Sequence, residues 1–270
     1  MGIEFAKEGH IAKVGINVPG TKNALSTDML VDLYNVWVEC QSDENIRSVV
    51  VYSVLPDIFC SGMDIRDSIP LLTGRRSLST DNEKYLYSDA VNLTGFSKAL
   101  LKVRDLVKPV IAAINGYCLT GGFELAMGSD LRIATEDAKF QMRETKLGIQ
   151  PMSGGNIFLP AIIGNTRALE ILLTGDAYPA SKMLEWGFLN KVVPTKKELM
   201  EEALALAEKL ASNGPKSQRG IVKLNRLARG LTLEEAFRLE IEIAMPVFRS
   251  IDPVEGIGAQ KEKRKANFEN

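Results

Sequence analysis

The stretch Asn115–Asp130, NGYCLTGGFELAMGSD, constrains this chain more than any other. It follows Pro109-Val110-Ile111-Ala112-Ala113-Ile114, an apolar run rich in β-branched residues and bounded by Pro and Gly, which predicts a buried strand. A helix is expected to begin near Gly121. The paired Gly121 and Gly122 remove side chains where the loop becomes helix, so backbone N–H groups there can approach a bound oxygen. Glu124 falls in the first helical turn, beside those donors. Taken alone, this pattern also describes a tight strand-to-helix connection carrying a solvated acid near the positive end of a helix dipole.

At 270 residues the chain has room for one large domain, or one domain with an appendage, and for a sizeable core. Its 33 basic and 34 acidic residues nearly cancel, so bulk charge argues for neither nucleic acid nor an anionic membrane. Cys40, Cys60 and Cys118 lie far apart without metal-ligand spacing, as expected of reduced thiols. The single histidine, His10, argues against a Ser-His-Asp triad or a multi-histidine metal site, and no metal is expected. The N-terminus has no export-signal pattern and no apolar run spans a bilayer, making a cytoplasmic location the default expectation.

Residues 3–18 alternate like a two-stranded hairpin, and Ser26–Gln41 has helical apolar spacing with Ser26 or Thr27 as cap. Val49–Tyr52 predicts a further strand. Thr73–Asn82 is expected to be a loop, followed by one helix over about 83–104. Beyond Gly155 come helices from Asn165 and Ala180, a strand over Leu189–Val193, and then amphipathic helices over 196–213, 216–229, 233–249 and 253–265. The early order predicts a parallel-rich α/β core, and the strandless end places a boundary near residue 195. Residues 1–195 then form the core carrying the site, and 196–270 a helical region.

Three further segments accompany the central turn. They are Asn23-Ala24-Leu25-Ser26, Ile58-Phe59-Cys60-Ser61-Gly62-Met63-Asp64-Ile65, and Phe140-Gln141-Met142-Arg143-Glu144 followed by Gly148–Gly155. Their order and content resemble the crotonase superfamily, whose type member is enoyl-CoA hydratase, over nearly the whole chain. The resemblance implies a spiral of ββα turns with a C-terminal helical trimerisation region, assembled as a homotrimer or hexamer. It implies an acyl-CoA substrate, with no cofactor beyond the coenzyme A that the substrate carries. Glu124 and Glu144, twenty residues apart, match the two catalytic glutamates of the hydratases. The family role of Glu144 is to protonate the α-carbon, and that of Glu124 to hold and activate water. Backbone N–H groups of Met63 and Gly121 match the oxyanion donors.

Coenzyme A is expected at Lys22, Ala24, Asp64, Ile65 and Arg66, with Lys263 reaching in from a neighbouring subunit. The acyl pocket is expected to involve Tyr85, Phe123, Arg143 and Met152, with Tyr87 and Phe96 as further candidates. The cations also read as solvated surface charges, the aromatics as core, and Asp64 as a helix cap. Met63, Arg143 and Gln260 depart from the short-chain hydratase pattern, which bears on the acyl group more than on the reaction. Dienoyl-CoA isomerases place a third acid where Met152 stands, and single-acid isomerases lack one of the two glutamates. Those isomerisations, the reverse dehydration, and a non-catalytic CoA- or RNA-binding member are the alternatives to enoyl-CoA hydration.

Overall fold

The computed structural model describes residues 2–87, 94–102 and 106–268. Two sheets organise it. Strands β1 (Gly2–Glu8) and β2 (Ile11–Asn17) form the antiparallel hairpin, and helix α1 (Thr27–Ser42) follows, with the Ser26 hydroxyl accepting from the Met29 N–H. From there the chain alternates between sheets. β3 (Ser48–Ser53), β5 (Val110–Ile114), β7 (Leu131–Thr135) and β10 (Lys191–Val193) join the hairpin in one six-stranded sheet ordered β1-β2-β3-β5-β7-β10. β4 (Ile58–Cys60), β6 (Tyr117–Leu119), β8 (Lys139–Gln141) and β9 (Ala177–Pro179) form the second, ordered β4-β6-β8-β9. Each pair β3-β4, β5-β6 and β7-β8 therefore contributes one strand to each sheet before the chain turns helical. That is the expected ββα spiral.

The helices follow in chain order. They are α2 (Ile65–Leu72), α3 (Asp81–Tyr87), α4 (Thr94–Ala99), α5 (Gly121–Gly128), α6 (Gly155–Ile163), α7 (Asn165–Thr174), α8 (Ala180–Glu185), α9 (Lys196–Ala211), α10 (Pro215–Leu227), α11 (Leu233–Phe248) and α12 (Asp252–Glu262). Strand β5 is apolar throughout because both its faces are covered. Val110, Ala112 and Ile114 pack into the main core, while Ile111 and Ala113 meet Leu199, Ala203 and Ala207 of α9 on the opposite face. Among the described residues no helix is long and apolar enough to cross a membrane.

The single helix expected over 83–104 differs from what the described residues form. They give α3 and α4 as two short helices, and Leu101 leaves helical geometry with φ of 61°. Residues 88–93 and 103–105 lie outside the described set. α3 also begins at Asp81, inside the expected loop. The Thr80 hydroxyl accepts from the Glu83 N–H, and the Glu83 carboxylate accepts from the Thr80 N–H, a reciprocal cap spelled Thr-x-x-Glu. Glu83 also pairs with Arg76, whose guanidinium reaches Asp67 on α2 at 3.1 Å. That ion-pair chain ties α2 to α3.

Candidate active site

Four chain segments converge on one place, and Asn23 is the knot. Its buried Nδ2 donates to the Ile16 carbonyl (3.2 Å), the Ser53 hydroxyl (2.8 Å) and the Phe59 carbonyl (3.1 Å), while its Oδ1 accepts from the Val18 N–H (2.7 Å). Asn23 sits at φ 58°, a left-handed conformation that Asn tolerates better than most residues. Just after it, the Leu25 N–H donates to the Gly62 carbonyl at 2.7 Å and the Asp64 N–H to the Leu25 carbonyl at 2.9 Å. This short bridge fixes Met63 between them.

The second arm comes from β5. Asn115 Nδ2 donates to the Leu55 and Pro56 carbonyls, stitching the end of β5 to the turn after β3. The chain passes through β6 to Thr120, a β-branched residue held at φ 44° by its N–H bond to the Gln141 carbonyl (2.8 Å), and α5 begins. A Cβ on Gly122 would stand 2.5 Å from the Cys60 Cβ, so α5 starts this close to β4 only because that residue is glycine. A Cβ on Gly121 would stand 3.2 Å from the Met63 nitrogen. The Met63 and Gly121 N–H groups are thus neighbours, and neither donates to another group among the described residues.

These donors border a cavity of about 490 Å³ that also takes in Glu124 and Glu144. Both carboxylates are buried, at 3% and 6% exposure. Glu124 Oε1 accepts from the Ser153 N–H at 2.9 Å and the Gly155 N–H at 3.0 Å. Burial raises its pKa, opposed by those N–H groups and by the charge of Lys102. Glu144 opens a 3-10 turn, Glu144–Leu147, and its Oε2 is buried without a hydrogen-bond partner. Burial pushes its pKa up to about 7, and the Glu124 charge adds to the rise. Burial therefore raises both carboxylates on this one cavity wall. They differ in their hydrogen bonds: the Ser153 and Gly155 N–H groups oppose that rise at Glu124, whereas Glu144 has only its own backbone N–H and keeps Oε2 without a partner.

The other expected site residues fall into two groups. Ile65 and Met152 line the cavity, as does Phe96. Lys22 and Ala24 come beside the segment Asp64–Arg66, since the Ser61 N–H donates to the Lys22 carbonyl and Leu25 bridges Met63. Asp64 caps α2, accepting from the Arg66 N–H at 3.0 Å. Lys263 lies exposed at the end of α12 and is not among the residues lining the cavity.

Three residues expected on the acyl pocket are not on the cavity wall. Phe123 is fully buried on another side of α5 from Glu124, with its ring 5.3 Å from Phe140 and 5.0 Å from Phe188. One residue is about 100° of helical turn, so neighbours of a cavity-facing Glu point elsewhere. Tyr85 is half exposed, with its ring 5.7 Å from Tyr34. Arg143 precedes the 3-10 turn and faces outward. Conversely, Ile69, Leu72, Leu147 and Ile149 line the cavity, and sequence reading missed them. The segment Gly148–Gly155 was recognised as a unit, but which of its side chains face inward depends on the turn that follows Glu144.

Residues 6–270 match the family model described as enoyl-CoA hydratase/isomerase. The chain is 34% identical over 264 residues to the enoyl-CoA hydratase EchA19 of Mycobacterium tuberculosis, covering 98% of this chain and 95% of that one. It is 36% identical over 268 residues to the Bacillus subtilis enoyl-CoA hydratase/isomerase homologue YngF, covering 97% and 95%. Among solved structures it superposes on enoyl-CoA hydratase from Bacillus anthracis with a TM-score of 0.87, at 31% identity and 99% coverage of both chains.

Proposed function

As this chain belongs to the enoyl-CoA hydratase/isomerase family, we propose that it adds water across the 2,3 double bond of an enoyl-CoA thioester, and catalyses the reverse dehydration by the same route. The observation that carries this reading is the pairing of two differently held carboxylates with two free N–H donors on one cavity. The thioester oxygen accepts from the N–H groups of Met63 and Gly121. As the enolate forms, charge grows on that oxygen, and each such donor is worth roughly 3 kcal/mol there. Because the donors are backbone groups, no side-chain truncation deletes them.

Water is held between the two carboxylates. Glu124, positioned by the Ser153 and Gly155 N–H groups, which favour its carboxylate against the effect of burial, draws a proton from the water as its oxygen bonds to C3. Electrons of the double bond move onto the thioester, and Glu144 delivers its proton to C2. The product is the 3-hydroxyacyl thioester, with one water consumed and a proton left on Glu124 to be returned to Glu144. Coenzyme A enters as part of the substrate. Lys22, Ala24, Asp64 and Arg66, together with the cavity-lining Ile65, are its proposed binding surface.

The exposed face of α11 supports self-association. Leu233, Phe237, Ile241 and Phe248 lie on one helical stripe and are each more than half exposed in the single chain, more apolar surface than a solitary helix leaves in water. A second and third copy of this chain are its proposed cover, with Lys263 nearby on α12 available to a neighbour's coenzyme A.

The decisive experiment follows the conjugated-thioester absorbance of a panel of 2-enoyl-CoA substrates, with product mass read alongside. Loss of absorbance with gain of one water supports hydration. Absorbance change at unchanged mass would replace it with isomerisation.

A further inference from the structure

The cavity wall says more about the substrate than the reaction does. Among the described residues, its only charged side chains are the two glutamates. On one side it is built by α2, eight residues and so roughly 12 Å long, through Ile69 and Leu72, with Phe96 beside them. On the other it is built by Leu147, Ile149 and Met152. Four of these six remain unusually open for large apolar side chains, Leu72 at 40%, Leu147 at 48%, Ile149 at 39% and Met152 at 50% exposure. A contiguous apolar rim on a cavity that already holds reactive groups is the mark of a groove for an apolar ligand.

Volume points the same way. An apolar cavity of about 150 Å³ admits benzene, six carbons. By that scale the 490 Å³ here holds roughly twenty carbon-sized atoms, shared between the thioester end and the acyl chain. A four-carbon acyl group would leave most of the wall in contact with water.

We infer that the acyl group this site is shaped for is an uncharged aliphatic chain of roughly 8–12 carbons, its tail running between Leu72 on α2 and Met152 on the facing loop. The inference rests on the hydratase reading for the end at which the thioester sits. No cation on the described wall pairs with a second carboxylate, so a chain ending in a carboxylate is disfavoured. Each buried methylene strengthens binding about fourfold, and the partly open rim realises a fraction of that per carbon.

The test has two arms, one independent of chemistry. Calorimetry with the unreactive saturated thioesters butyryl-CoA and dodecanoyl-CoA, kept below micellar concentration, is expected to show the longer chain binding at least tenfold tighter. In turnover, kcat/KM for 2-octenoyl- and 2-dodecenoyl-CoA is expected to exceed that for crotonyl-CoA at least tenfold, and that for a chain-matched enoyl-CoA ending in a carboxylate by as much. Leu72→Asp, at a position open enough to fold around, is expected to shrink the dodecenoyl-to-crotonyl ratio at least tenfold. Equal binding of the two saturated thioesters, or a ratio untouched by Leu72→Asp, overturns the inference while crotonyl-CoA hydration leaves the hydratase reading standing. Chain-length selectivity in binding, sensitive to Leu72→Asp but without hydration of any thioester, sustains the acyl inference and removes the hydratase reading.

Discussion

Glu124 and Glu144 face the same cavity but are held by different hydrogen bonds. Two backbone N–H groups grip one carboxylate, and the other keeps a buried oxygen with no partner. Glu124→Gln and Glu144→Gln are each expected to lower kcat of hydration by about 10²- to 10⁴-fold, the usual weight of a positioned acid or base. The amide at position 124 still accepts from Ser153 and Gly155, so the loop they belong to stays in place. Substrate affinity, measured by calorimetry with a saturated acyl-CoA, should stay within a few fold in both variants.

The same difference predicts a pH dependence. In the proposed reaction Glu144 carries a proton to deliver to C2, and burial pushes its pKa up to about 7. Hydration is therefore expected to fall as pH rises through about 7, by tenfold per pH unit once well above it, with saturating substrate. A rate that is flat from pH 6 to 9 would remove Glu144 from the role of acid.

Stability runs against that function. Between the ordinary carboxylate pKa of 4.5 and about 7, the folded protein binds a proton on Glu144 that the unfolded chain has released. More protons on the folded side mean that stability falls as pH rises through this window, by on the order of 3 kcal/mol in total at the upper end. Glu144→Gln removes the titration. Its melting temperature at pH 8 is expected to exceed that of the wild type, with the gap closing as pH falls toward 4.5, as differential scanning fluorimetry across pH would show. Glu124 has the same sign, its pKa also being raised by burial.

Much of this site was legible in the sequence because the chemistry and the local fold share residues. Gly121, Gly122 and Glu124 mark both a strand-to-helix turn and a donor-plus-acid pair, and the apolar run before them announces a strand covered on both faces. What escaped depended on direction or on distant contacts. Phe123 adjoins Glu124 in sequence yet faces an aromatic core, a matter of helical phase. The Thr80-x-x-Glu83 cap was spelled out but lay inside a polar stretch that looked like loop. The cavity-facing Ile69 and Leu72 carry no chemical signature at all, and only the folded position of α2 shows that they line the cavity.

Asn23 was noticed only as part of a motif, and the structure makes it a strong candidate for a stability determinant. Asn23→Ala leaves the Val18 N–H and the Phe59 carbonyl without the Asn23 side chain, while the Ile16 carbonyl keeps the Val54 N–H, at a cost of about 3 kcal/mol for the lost buried hydrogen bonds. Because the same residue leads into the bridge that fixes Met63, kcat is expected to fall further than the saturated acyl-CoA affinity does. Urea denaturation and steady-state kinetics on one preparation test both.

Gly62 carries a conformational demand that no other residue meets. Its φ is +104°, and a Cβ there would lie 1.6 Å from the Thr120 hydroxyl oxygen. Gly62→Ala must therefore move either the bridge at Met63 or the turn that presents the Gly121 N–H. It is expected to destabilise the fold by at least about 2 kcal/mol and to lower kcat at least tenfold through loss of oxyanion alignment.

The exposed stripe on α11 gives the last prediction. Phe237 and Ile241 are one helical turn apart, at 56% and 62% exposure, on a helix with no fully buried residue in the single chain. An apolar face this open has no reason to persist on a monomer, so it is expected to be covered by further copies of this chain. Light scattering after size exclusion should give a mass of three or six chains for the wild type. Phe237→Asp with Ile241→Asp should shift that mass toward one chain, because each introduced carboxylate would have to be buried without a partner. The substitutions lie on α11, whereas the cavity holding Glu124 and Glu144 is walled by α2, α4, α5 and the loop after Glu144. A dissociated variant that keeps its saturated acyl-CoA affinity would therefore assign coenzyme A binding to one chain. A variant that loses affinity on dissociation would instead place a neighbour's residue, with Lys263 the first to mutate, in the coenzyme A site.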